Sequence, residues 1–224
     1  MQRISPGYPM RKRLFAVLAG LILALLTRVY SARAQTDPAS LPARDAHQGL
    51  LVTVDPYISA DRYKDKFGKH TPYEAGVAAL EVYFRNDTAA PLKVDLETIR
   101  LLIAAPGEAK QKIEPLTPDY VADLVLLKDR ANPRQRRLPL PLPGGVPKSG
   151  KGKEWDEFAA ELRSIALSSD VIAPNNMAHG FVYFDIDRQY AWLTGSRLQI
   201  PDVSSMLDHK ALFFFEVDLG AAKH

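Results

Sequence analysis

The chain has 224 residues, 46% hydrophobic, 25% charged and 9% aromatic, with no cysteine. Those fractions lie near globular averages and exclude a disordered low-complexity chain, a collagen-like fibre and a multi-span membrane protein. Without cysteine there is no disulfide, no thiolate metal cluster and no cysteine nucleophile.

Residues 1–34 read as a secretory signal peptide of bacterial form. Arg3, Arg11, Lys12 and Arg13 stand ahead of an uncharged apolar run, Leu14 to Leu26, and Ala32-Arg33-Ala34 supplies a small-residue cleavage site. The run is too short to cross a bilayer, which takes about 20 helical residues. Cleavage after Ala34 would leave no transmembrane span and would place the protein in the periplasm or outside the cell. An uncleaved anchor is the alternative. Removing the leader's six basic residues leaves 23 Lys+Arg against 26 Asp+Glu, a net charge of −3. That balance gives no reason to expect nucleic-acid binding.

Residues 35–48 carry Pro38 and Pro42 without periodicity and read as a flexible linker. Residues 49–220 read as one domain. Leu50, Val52 and Val54 alternate with Leu51, Thr53 and Asp55 as a first strand. Residues 59–70 are polar, with Tyr57, Tyr63, Phe67 and Tyr73 in and around them. They are expected to form a loop over a satellite aromatic cluster. Val77 to Asn86 has the clearest period-two pattern, with Ala78, Leu80, Val82 and Phe84 on one face. Asn86-Asp87-Thr88 supplies turn chemistry, and Leu92, Val94 and Leu96 follow, so 77–103 is expected to be a hairpin. Its apolar phase slips at Glu97-Thr98, as a bulge or a break between strands would produce.

Thr117-Pro118-Asp119 is a helix start, and Tyr120, Val121, Leu124 and Leu127 recur at helical spacing. Residues 130–152 hold five prolines and four glycines and read as a long loop. Trp155, Phe158, Ala159, Leu162 and Ile165 form one stripe of a second helix, from Glu154 to about Ser168. Strands return at Phe181–Ile186, Leu198–Ile200 and Leu212–Leu219, the last with Phe213, Phe215, Val217 and Leu219 on one face. Strands at both ends with helices between are not a βαβ alternation. The expected fold is mainly β, an antiparallel immunoglobulin-like β-sandwich with a helical insertion at about 117–168.

No nucleophile elbow, metalloprotease helix, phosphate loop or dinucleotide fingerprint is present. Asp185 and Asp187 place a carboxylate pair at a strand end, where a hydrolytic site could sit, and a solvated strand terminus explains them as well. Met177 with His179, and Met206 with His209, pair thioether and imidazole, soft donors that suit Cu(I) if the two pairs meet. Residues 128–153 hold eight basic residues against Asp129 alone. Within them Arg134, Arg136, Arg137, Lys148, Lys151 and Lys153 are candidates for docking to an acidic partner. Tyr190 and Trp192 are exposed-loop candidates for stacking on a ligand or filling a partner's pocket, or else they cap the open end of the core. The expectation is an exported, non-catalytic module without a cofactor that binds a protein or envelope component. The alternative is a periplasmic small-ligand or copper carrier.

Overall fold

The computed structural model describes residues 37–103, 110–127 and 152–222. The expected leader lies outside them, as does most of the basic loop. The strands, in chain order, are β1 (Arg44–His47), β2 (Leu50–Tyr57), β3 (Val77–Asn86), β4 (Leu92–Val94), β5 (Arg100–Ile103) and β6 (Gln111–Ile113). They continue with β7 (Pro115–Leu116), β8 (Val171–Ile172), β9 (Asn176–Asp185), β10 (Arg197–Ile200), β11 (Val203–Ser205) and β12 (Phe215–Asp218). The helices are α1 (Ala60–Phe67), α2 (Pro118–Ala122, continued by a π turn over Asp123–Leu127) and α3 (Lys153–Ile165).

The fold is mainly antiparallel β, in three sheets of order β1-β2-β3-β9-β7, β12-β10-β5-β6 and β11-β4-β8. The largest sheet is organised by β3. It pairs with β2 from Leu50↔Asn86 to Tyr57↔Ala79, and with β9 along all of Val77↔Asp185 to Asn86↔Asn176. One face of that sheet turns Leu50, Val52, Val54, Ala78, Leu80, Val82, Phe84 and Phe184 into a buried core. The other two sheets complete this core with Leu92, Val94, Leu101, Leu198, Ile200, Phe215 and Val217. The opposite face carries Tyr57, Ala79, Phe181 and Tyr183, and three helices cover that half of it. Tyr63 and Phe67 come from α1, Tyr120 and Val121 from α2, and Trp155, Phe158 and Leu162 from α3. Each such large apolar side chain contributes about 1.5–3 kcal/mol by leaving water. The aromatic cluster expected around Tyr57, Tyr63, Phe67 and Tyr73 is therefore real, and the stripe on α3 is the face it buries. Trp155 Nε1 donates to Asp123 Oδ1 at 2.8 Å and ties the π turn to α3.

Four expectations are corrected. Residues 44–47 are not linker. They form β1, which pairs His47↔Leu50 through Arg44↔Thr53 across a two-residue turn. Gln48 and Gly49 of that turn both have positive φ, 51° and 79°, the geometry that closes tight hairpins. Residues 60–67 are helix, not loop. Ser59 accepts from Arg62 N, and Gly68 ends the helix at φ 68°. Residues 77–103 do not form a hairpin, because β3 and β4 belong to different sheets. The Asn86 side chain holds the corner: Nδ2 donates to the carbonyls of Ala90 (2.7 Å), Ile172 (3.1 Å) and Ala173 (3.2 Å), and Oδ1 accepts from Thr88. The phase slip at Glu97-Thr98 is a break, a single 3₁₀ turn (Leu96–Thr98) between β4 and β5. Finally, the last strand begins at Phe215, not Leu212. Pro201 ends β10, so the ladder starts at Ile200↔Phe215 and Phe213 stays exposed.

Candidate functional site

The candidate residues of the basic loop, Arg134, Arg136, Arg137, Lys148 and Lys151, lie outside the described residues. Lys153 opens α3, exposed, with its ammonium 3.4 Å from Glu157. Tyr190 and Trp192 sit on a 3₁₀ turn (Tyr190–Gly195) and are spent on packing. Tyr190 stacks on Tyr73, with centroids 4.2 Å apart, and its hydroxyl donates to Tyr73 O (2.8 Å) and Val77 O (3.1 Å). Trp192 packs against the inner core, as a cap would. Asp185 Oδ1 accepts from Asp187 N at 3.2 Å, and the two line an open hollow of about 470 Å³ with β6 and β7. A smaller hollow of about 270 Å³ is lined by Lys69, His70, Thr71, Glu74, Leu124 and Arg188. Glu154 holds His70 (2.8 Å) and Lys69 (3.4 Å) beside it.

The soft-donor residues fall on two different sheets. Met177 and His179 stand two apart on β9, opposite Arg85 and Tyr83 of β3. Met206 and His209 lie on the turn that follows β11, with His209 at φ 55°. Among the described residues no three His, Asp or Glu side chains converge as a metal cluster.

Two features escaped the sequence reading. The first surrounds Glu81, on the part of the five-stranded sheet's outer face that the helices leave uncovered. Glu81 is nearly buried. Its Oε2 accepts from Tyr57 Oη at 3.3 Å, and its Oε1 lies 3.8 Å from His179 Nδ1. The Tyr83 hydroxyl also hydrogen-bonds Glu81, and the Tyr83 ring stacks on His179, 5.3 Å between centroids. Asp55 stands directly across from Glu81, and Arg62 takes both its oxygens (3.0 and 2.7 Å) while lying 4.2 Å above the Tyr57 ring. Burial first, and the charge of Glu81 second, push the Tyr57 phenol up to about 12, and the same two causes raise Tyr83. This cluster depends on strand register, which the residues alone do not announce.

The second feature is an exposed apolar segment. Met206 (44% exposed), Leu207 (72%), Phe213 (75%) and Phe214 (55%) fall within nine residues. Their backbone is pinned from several sides. Met206 N donates to Pro91 O (2.9 Å), Ser205 N to Lys210 O (2.9 Å) and Leu212 N to Val203 O (2.8 Å). Phe213 N donates to the Gln48 side chain (2.7 Å). The aromatic residues were visible in the sequence, but strand alternation assigned Phe213 to the core.

No helix among the described residues is long and apolar enough to cross a membrane. No protein-family model matches the chain, and no curated protein matches it. Among solved structures it is similar to a functionally unknown protein from Listeria monocytogenes EGD-e. That likeness has 12% identity over 73% of this chain and 71% of the other, with a TM-score of 0.33, too slight to inform fold or function.

Proposed function

We propose that the chain is an exported, non-catalytic binding module whose residues 1–34 direct export and whose folded part docks a partner protein through Met206–Phe214. In this reading the three sheets form an immunoglobulin-like sandwich that presents the segment. The observation that carries it is the exposure of four large apolar side chains on a backbone fixed by hydrogen bonds. Scattered exposed apolar residues are ordinary, but four within nine residues of a pinned segment are more than scatter and fit an interaction site. Pinning also lowers the ordering cost of association. A protein pocket fits better than an anionic membrane. The segment contains Asp208 as well as His209 and Lys210, and Asp45 and Asp202 flank its anchors. Lys210, and Lys93 across from Ser204, are offset by these acids, so no net cationic cluster of the kind that draws a loop to anionic headgroups forms there among the described residues.

A photo-reactive phenylalanine analogue at position 213, in cells that express the protein naturally, tests the assignment. Cross-linking to one partner is expected from position 213, abolished by Leu207→Ser with Phe214→Ser, and absent when the probe replaces Arg163 on α3. Equal labelling from both positions, or labelling indifferent to the serine pair, would refute it.

A further inference from the structure

We propose that Met177 and His179 form a two-donor site for Cu(I) on the outer face of the five-stranded sheet, independent of the docking segment. Residues two apart on a strand project from the same face, with Cα atoms about 6.6–6.8 Å apart. The three rotatable bonds of methionine let its sulfur swing across that gap towards the imidazole. The imidazole plane lies against Tyr83, 15° from parallel, which sets the ring's orientation on the sheet. Glu81 Oε1 stands 3.8 Å from its Nδ1, too far for a direct hydrogen bond but close enough to place a negative charge beside the ring.

The surroundings suit a soft, singly charged ion. Thioether and neutral imidazole select Cu(I) over harder divalent ions, which look for carboxylate and water oxygens. Glu81 supplies compensating negative charge one shell out. Arg85, opposite Met177, has its charge met by Asp87 through bonds of 3.0 Å. His179 is half exposed, so the ion has an open path. The sequence reading needed two methionine–histidine pairs to meet; the proposed site is the two-donor site of one pair, a coordination number that suits Cu(I).

Ag(I), an air-stable stand-in for Cu(I), tests the site. The full chain, labelled with ¹³C at the methionine methyls, is titrated with silver nitrate and followed by NMR and calorimetry. One ion is expected to move the Met177 methyl and the His179 ring resonances together. Met177→Leu and His179→Phe, the latter keeping a ring against Tyr83, should each weaken that ion about tenfold or more, and Glu81→Gln several-fold. Met206→Leu and His209→Gln should leave it unchanged. Resonances that shift at separate silver concentrations, wild-type affinity in Met177→Leu or His179→Phe, or loss of the ion in Met206→Leu would overturn the assignment.

Discussion

Replacing Tyr63 by phenylalanine removes one oxygen atom from the contact between α1 and the sheet that carries Glu81. The ring would stay, packed edge-on to Tyr57 at 5.9 Å and against Phe67 at 5.6 Å, so no cavity term arises. What changes is hydrogen bonding. Strand β2 ends at Tyr57, opposite Ala79, so no β2 residue stands opposite Val77. The Tyr63 hydroxyl occupies that place, donating to Val77 O (3.0 Å) and accepting from Ala79 N (2.7 Å). Tyr63 and Ala79 are wholly buried, so water cannot replace the lost oxygen. Val77 O still receives Tyr190 Oη at 3.1 Å, and Ala79 N–H still faces its ladder partner Tyr57 but loses the 2.7 Å side-chain acceptor. A buried hydrogen bond contributes about 0.5–1.5 kcal/mol, so the expected loss is about 1 kcal/mol. For a domain of this size that lowers Tm by about 2–4 °C. Tyr190→Phe should cost less, since Val77 O keeps Tyr63. The double variant leaves Val77 O without either hydroxyl and should cost more than the two losses together. Urea unfolding of the four proteins measures the cycle. A Tyr63→Phe loss under about 0.5 kcal/mol, within the range of inert surface changes, would refute the hydroxyl's place in the sheet.

Asn86→Ala should destabilise by about 3 kcal/mol or more in urea unfolding, because three carbonyls and Thr88 lose partners at a buried corner. Gly180→Ala should be among the most damaging single changes. A Cβ there would come within 2.4 Å of Leu167 N and 2.6 Å of Leu167 Cα, backbone that bridges to β9 through Leu167 N–H to Phe181 O. A soluble, cooperatively unfolding Gly180→Ala protein with wild-type Tm would contradict that packing. Alkaline stability follows from Tyr57. Its folded-state pKa of about 12 lies above the ordinary value of 10, so its contribution is intact below pH 10 and lost as pH rises towards 12. Tyr57→Phe should therefore flatten the fall in stability between those pH values, as read by chemical unfolding at each pH.

The elements that the sequence revealed are those whose apolar pattern is long. β3 and α3 show ten or more residues of period two or period 3.6, and each buries the face its pattern names, whereas β9 was legible only in its apolar half from Phe181, and its polar start at Asn176 was not. Thr117-Pro118 marked α2 because capping is a local interaction, and Thr117 Oγ1 does accept from Tyr120 N at 3.1 Å. α1 was missed because only Tyr63 and Phe67 in it are buried. Its signals were Ser59 at one end, Gly68 at the other and two aromatics four apart. Pairing was less legible than existence. Asn86-Asp87-Thr88 is sound turn chemistry, yet whether a turn returns a strand to its neighbour or sends it to another sheet depends on Ile172 and Ala173, more than eighty residues away. The same limit hid Glu81. Met177 and His179 were recognisable by type, but the carboxylate and tyrosines beside them arrive through β-sheet register.

The two proposed sites rest on unequal amounts of structure, which gives a way to tell their ligands apart. Met177 and His179 stand on β9, laddered to β3 over ten residue pairs. The Met206–Phe214 segment hangs from β11, whose ladder to β4 spans Val203↔Val94 to Ser205↔Leu92. Short ladders near exposed backbone open by local fluctuation at less than the global unfolding cost. The amides of Met206 and Leu212 should therefore exchange hydrogen faster than those of Leu80 and Val82, although all four are hydrogen-bonded or buried. A protein partner on Leu207 and Phe213 would close that opening and slow Met206 and Leu212 alone. Silver on β9 would leave them unchanged, since it touches neither Pro91 nor Val203, the carbonyls that hold them. Slowing of Met206 and Leu212 by silver would mean that the ion binds at the Met206–His209 turn, and the Met177–His179 assignment would fall.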